Sequence, residues 1–176
     1  LFFAAAERVA MAIPGLVVVV PTADGAADRW VAPYQAQWSG KGQLIVAPRA
    51  AHWALAAADV VLVASGTATL EAALFKRPMV IAYRVASWQY RLMKQMAYLP
   101  WVGLPNILLG ESVVPEFLQD EATPAKLAQA LLAWWEAPAR VAELNERFVA
   151  LHEQLRCAMA ERTAALLAEW IRERDG

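Results

Sequence analysis

Val60-Val61-Leu62-Val63-Ala64-Ser65-Gly66-Thr67-Ala68-Thr69-Leu70-Glu71 decides the fold. Its first five residues are apolar and mostly β-branched, a run that reads as a buried parallel strand. Ser65-Gly66-Thr67 then makes a short hydroxyl-and-glycine turn, and a helix begins. Such a passage leaves free backbone N–H groups, and the positive end of a helix dipole, at the carboxyl edge of a sheet. Diphosphates bind there without needing a lysine. Gly66 lets a phosphate approach the backbone, while Ser65 and Thr67 add hydroxyl donors. Glu71 lies four residues after Thr67 and does not complete a capping box. A carboxylate at that place can accept both hydroxyls of a ribose. Plainer readings stand beside these: Ser65 and Thr67 as helix caps, Glu71 as a solvated first-turn acid.

Working outward, the same strand signature recurs in Gly15–Val20 (closed by Pro21), Gln43–Ala47 and Met79–Tyr83. Helical stretches lie between the strands, at Ala27–Gln37, Ala51–Ala58 and Ala68–Lys76. The alternation predicts an α/β, Rossmann-like parallel sheet with helices on both faces. Ile107-Leu108-Leu109 is a fifth possible strand with Asn106 at its mouth, and strands are expected to stop after about residue 110. Thr123 and Pro124 form an N-cap and first-turn pair, opening a helix whose Leu127, Ala130, Leu131 and Trp134 share one face; Pro138 ends it. Val141, Leu144, Phe148, Leu151 and Leu155 then make an apolar stripe on one long C-terminal helix. The expected division is a nucleotide-binding domain over 1–122 and a helical segment over 123–176. Leu1-Phe2-Phe3 runs straight into a helical stretch, so the chain reads as a piece of something longer.

Hydrophobic residues make up 59% of the 176, an excess that fits a deep core, a membrane-facing patch or a partner surface. A net charge of −1 gives no electrostatic case for nucleic acid. The lone Cys157 cannot form an internal disulfide, which favours a reducing, cytosolic compartment. The longest apolar reach, Ala54 to Ala64, contains Asp59 and falls short of the roughly 20 residues a bilayer requires. Gly40-Lys41-Gly42 lacks the third glycine of a dinucleotide fingerprint, and no Walker lysine motif occurs. His52 and His152 are isolated, without metal-ligand spacing, and read as structural. No metal and no cofactor are expected. Tyr83-Arg84 ends a strand on the same sheet edge as the glycine turn, where a guanidinium can hold a phosphate bidentately or make a surface ion pair. Trp88–Trp101 mixes aromatics and methionines with Arg91 and Lys94, the composition of an interfacial anchor or of an aromatic helix packed on the sheet.

Ala64–Glu71, Pro78-Met79-Val80, Tyr83-Arg84, Leu104-Pro105-Asn106-Ile107-Leu108 and Leu151–Cys157, in this order, resemble the C-terminal half of the lipid-A-disaccharide synthases. That resemblance implies the donor-binding half of a GT-B glycosyltransferase of family 19. Such an enzyme transfers the diacylglucosaminyl group of UDP-2,3-diacylglucosamine to 2,3-diacylglucosamine 1-phosphate. The products are UDP and a β-1,6-linked lipid A disaccharide, formed with inversion and without a metal. It assigns Ser65, Gly66 and Thr67 to the diphosphate, Glu71 to the ribose, and Arg84 and Asn106 to substrate binding. The catalytic base is unknown and, with the acceptor site, is expected in a domain outside these residues. The isolated chain is therefore expected to be inactive. The resemblance also implies a cytoplasmic protein, peripheral at the inner face of the cytoplasmic membrane. The C-terminal stripe, continued by Leu166, Trp170 and Ile171, would pack partly on the absent N-terminal domain in such an enzyme, so this helix is expected either to swap onto a second copy of the chain, giving a homo-oligomer, or to fray beyond about residue 157. Two alternatives stay open: the donor half of another UDP-sugar GT-B protein, such as the peptidoglycan N-acetylglucosaminyltransferase or a UDP-sugar epimerase, and a nucleotide- or membrane-binding module without catalysis.

Overall fold

A computed structural model of the chain describes residues 1–86, 90, 100–156 and 159–174. Its elements run α1 (Phe2–Ala12), β1 (Val17–Thr22), α2 (Gly25–Ala36), β2 (Gln43–Pro48), α3 (Ala51–Ala57), β3 (Val61–Ala64), α4 (Thr67–Leu74) and β4 (Met79–Tyr83). Then follow α5 (Leu104–Leu109), β5 (Glu116–Leu118), a 3-10 turn (Gln119–Glu121), α6 (Pro124–Trp135), α7 (Pro138–Leu155) and α8 (Met159–Arg174). All strand pairs are parallel, as continuous apolar runs separated by helices require. They form two sheets: β1 beside β2, with Val17 opposite Gln43, and β3-β4-β5, with Val61 opposite Met79 and Ile81 opposite Glu116.

The core is organised on β4. Met79, Val80, Ile81 and Ala82 are buried, and they cluster with Ala5 and Val9 of α1, Ala72 and Ala73 of α4, Leu127 and Leu131 of α6, and Leu144 and Phe148 of α7. Trp134 of α6 pins that helix to the sheet, its indole Nε1 donating to the Met79 carbonyl at 3.1 Å. The hydrophobic cluster therefore runs continuously across residue 122. Local signals set the helix starts. Asp24 accepts from the Ala27 N–H at 2.9 Å, Thr123 caps α6 through the Lys126 N–H, and Pro124 and Pro138 open α6 and α7 where a missing N–H costs nothing.

Several local expectations change. Ile107-Leu108-Leu109 is not a strand but the end of α5, opened by Pro105 and closed by Gly110 in the left-handed region at φ +69°. The fifth strand lies later, at Glu116–Leu118, so strands do not stop at residue 110. Pro21 sits inside β1 rather than ending it, tolerated at the far end of a strand whose one described partner is β2. Pro138 opens a helix instead of ending one. The single long C-terminal helix is two, since α7 stops at Leu155 and α8 begins at Met159. Leu144, Phe148 and Leu151 of the stripe are buried, whereas Leu155, Leu166, Trp170 and Ile171 are exposed. The Trp88–Trp101 reading falls outside the described residues except at Tyr90 and 100–101, and Cys157 lies outside them too. Among the described residues, no helix is long and apolar enough to cross a membrane.

Candidate functional site

The turn between β3 and α4 holds the geometry that its sequence suggests. Gly66 is the N-cap of α4 with φ +145°, a conformation open to glycine and strained for any residue carrying a Cβ. No described group occupies the N–H of Gly66, Thr67 or Ala68; the first amide of the helix bonded back is Thr69, to the Gly66 carbonyl at 3.1 Å. Three consecutive donors, the positive end of a helix dipole and an exposed Thr67 hydroxyl thus meet at the carboxyl end of β3. The other two hydroxyls face inward. Ser65 Oγ donates to the Val102 carbonyl at 2.8 Å, and Thr69 Oγ1 donates to the Gly66 carbonyl at 2.7 Å. The turn therefore offers backbone and Thr67, with Ser65 engaged in holding its shape.

Glu71 stands one turn along α4, and its Oε2 lies 3.5 Å from His52 Nε2. Both side chains reach solvent, 42% exposed for Glu71 and 74% for His52. His52 belongs to the β2–α3 corner, so this contact brings that corner against the start of α4. Beside it opens a cavity of about 410 Å³ lined by Thr22, Arg49, His52 and Trp53, among others. Trp53 is 80% exposed and presents its indole to that space, while Arg49 holds an uncommon left-handed φ of 53°. Thr22 Oγ1 donates to Asp28 Oδ1 at 2.6 Å, which fixes the cavity's floor. The cavity can take a flat ring against Trp53, with two basic side chains, Arg49 and His52, in its lining and Glu71 beside His52.

Arg84 and Asn106 serve different ends. Arg84 Nε and Nη2 donate to the carbonyls of Gln119 and Ala122 at 3.0 and 2.9 Å, tying the end of β4 to the 3-10 turn and leaving Nη1 uncommitted among the described residues. Asn106 is completely buried. Its amide nitrogen donates to the Val114 carbonyl and to Glu116 Oε1, and its oxygen accepts from the N–H groups of Val113 and Val114, all within 2.7–3.0 Å. Two donors and two lone pairs are the whole capacity of an asparagine, so this side chain has none left for a ligand. It ties α5 to the segment Val113–Glu116.

The sequence reading missed several residues here, Arg49 and Trp53 of the cavity among them. His52 read as an isolated structural residue, yet it is the neighbour of Glu71. Its ring shares that corner with Phe75, 5.7 Å between centroids. Glu116 and Thr69 carried no motif of their own. A signal did exist for Thr69, a hydroxyl three residues after a turn glycine, where it can reach back to the Gly66 carbonyl.

Parallel strands flanked by helices, with N–H donors that no described group occupies at the strand-to-helix turn after β3, define an α/β domain of Rossmann-like architecture. Residues 1–167 match the family model described as lipid-A-disaccharide synthetase, and the chain belongs to that family. The lipid-A-disaccharide synthase of Azoarcus sp. (strain BH72) is 64% identical over 118 residues, which cover 67% of this chain and 30% of that protein. Its counterpart in Cupriavidus pinatubonensis (strain JMP 134 / LMG 1197) is 44% identical over 173 residues, covering 98% and 43%. The Xanthomonas campestris pv. campestris (strain 8004) protein is 43% identical over 179 residues, covering 99% and 40%. The chain spans less than half the length of these relatives.

Proposed function

We propose that the chain is the donor-binding half of a lipid-A-disaccharide synthase, and that it holds the UDP-2,3-diacylglucosamine donor of that reaction. The observation that carries this is the β3–α4 turn: N–H groups of Gly66, Thr67 and Ala68 without described partners, followed at one helical turn by Glu71. The diphosphate lies on those amides and the Thr67 hydroxyl, with the ribose hydroxyls on Glu71 and the uracil in the cavity by Trp53. Arg84 contributes its free guanidinium nitrogen, and Asn106 contributes by positioning. During transfer the 6-hydroxyl of 2,3-diacylglucosamine 1-phosphate attacks the anomeric carbon from the face opposite UDP. The bond from that carbon to the diphosphate breaks, and the hydroxyl proton leaves to a general base expected in the acceptor-binding domain. Charge grows on the departing diphosphate, where fixed N–H dipoles stabilise it without reorganising. The parent enzyme works at the cytoplasmic face of the inner membrane, where both acylated substrates reside. The exposed apolar side chains Leu166, Trp170 and Ile171 of α8 favour a self-associating chain.

Calorimetry with UDP tests the reading. Glu71→Ala should weaken binding by about 1.5–3 kcal/mol, the worth of a hydrogen bond to a charged group. Equal affinities for the variant and the wild type would remove Glu71 from the site.

A further inference from the structure

Glu116 accepts three hydrogen bonds at once. The Val102 N–H reaches Oε2 at 2.8 Å, and the Gly103 N–H and the Asn106 amide reach Oε1 at 3.0 and 2.7 Å. Holding two consecutive backbone N–H groups fixes the orientation of the peptide between them. That orientation turns the Val102 carbonyl toward Ser65 Oγ at 2.8 Å, and in the next peptide the Leu104 N–H donates to Thr69 Oγ1 at 3.3 Å. Ser65 and Thr69 flank the Gly66 turn on its two sides, so the segment 102–104 grips the turn at two points. The fit is close. A Cβ on Gly103 would lie 2.3 Å from Ile81 Cδ1 and 2.9 Å from Glu116 Oε1, so a larger residue would have to displace the ends of both side chains.

We infer that Glu116 is a positioning residue for the diphosphate. Through Val102–Leu104, Ser65 and Thr69 it holds in place the turn that carries the N–H groups of Gly66, Thr67 and Ala68 before any ligand arrives. The inference rests on the reading of that turn as the diphosphate site. Preorganisation of this kind removes an ordering cost from binding and has no reason to act on the nucleoside, which Glu71 and the cavity hold. Glutamate is required because the carboxylate accepts on both oxygens. A glutamine of the same shape would turn an NH₂ group toward the Val102 or the Gly103 N–H, donor against donor.

The experiment compares UDP with uridine on the full chain and its variants. Glu116→Gln should weaken UDP about tenfold while uridine stays within about twofold, the selective loss expected when a single charged hydrogen bond fails. Unchanged UDP affinity overturns the proposal, and so does an equal loss for both ligands, because that is what a merely structural residue produces. Glu116→Asp keeps both acceptor oxygens and covers the case in which the Gln variant does not fold; it should show the same selectivity with a smaller loss. Should the wild type bind neither ligand, the diphosphate reading itself falls, and ¹⁵N relaxation of the free chain decides the positioning role alone. Glu116→Gln must then lower backbone order at Gly66–Ala68 and leave Val17–Thr22 as it was; unchanged order at the turn refutes the inference.

Discussion

Val17–Val20 on β1 and Met79–Ala82 on β4 are equally apolar runs in equally parallel pairs, yet every residue of the second is buried while Val17 and Val19 of the first are exposed. Cover makes the difference. β4 lies between two strands and beneath α4 and α6, whereas α2 and α3, the helices beside β1 and β2, contain no buried residue. An apolar run therefore reports a strand's readiness to be buried, and the helices around it decide whether it is. The site straddles this contrast. The Gly66 turn rises from the covered sheet, and Asn106 and Glu116 hydrogen-bond the segment that contacts it. The cavity, with Arg49, His52 and Trp53, belongs to the open one. On the proposed reading, the diphosphate would meet the hydrogen-bonded turn of the covered sheet and the base the accessible cavity of the open one.

The contrast can be broken most easily in the core. Phe148→Ala, at a fully buried position, should cost about 3–5 kcal/mol of unfolding free energy, and Val19→Ala on the open strand under about 1 kcal/mol. Urea unfolding of both variants checks this, and comparable losses would show β1 to be as well packed as α7. Asn106→Ala should come next, at about 2–4 kcal/mol, because it strands buried N–H groups at Val113 and Val114 and a buried carbonyl at Val114. The same measurement reads it. A near-neutral result would mean that water or a rearranged loop takes over the four bonds.

How much of this was legible depended on length and on chemistry. Long apolar runs with turns behind them, such as Val60–Ala64 and Met79–Tyr83, announced their strands, and Thr123-Pro124 announced a helix start. Ile107-Leu108-Leu109 misled because three apolar residues cannot show whether their period is two or 3.6. Only Pro105 before them and Gly110 after them marked a helix. Glu116–Leu118 was invisible for the opposite reason, a strand of three residues opening on a carboxylate behind Pro115. Within the site, the Gly66 turn and Glu71 stand where their spacing put them. The orientation of a side chain was not readable. Sequence cannot say whether an asparagine amide faces a ligand or four backbone and carboxylate partners, and Asn106 does the second.

The smallest effect expected is on pH dependence at the surface. Arg147 hydrogen-bonds Glu111 and holds its carboxyl below the usual carboxylate value of 4.5. A depressed folded-state pKa means that the stabilisation is present above the unfolded value and is lost as pH falls through the folded one. Arg147→Ala should therefore lower the unfolding midpoint slightly at neutral pH, and the difference should shrink as the pH falls through the depressed folded-state value of Glu111. A gap between the two proteins that persists in acid would assign the effect to packing instead of charge.

The measurement that bears most directly on the central claim is a backbone-amide NMR titration of the chain with UDP. The account predicts that the largest saturable shifts fall on Gly66, Thr67 and Ala68, with smaller ones at Glu71, His52 and Trp53. Saturable shifts confined to other surfaces, with Gly66–Ala68 unmoved, would contradict it.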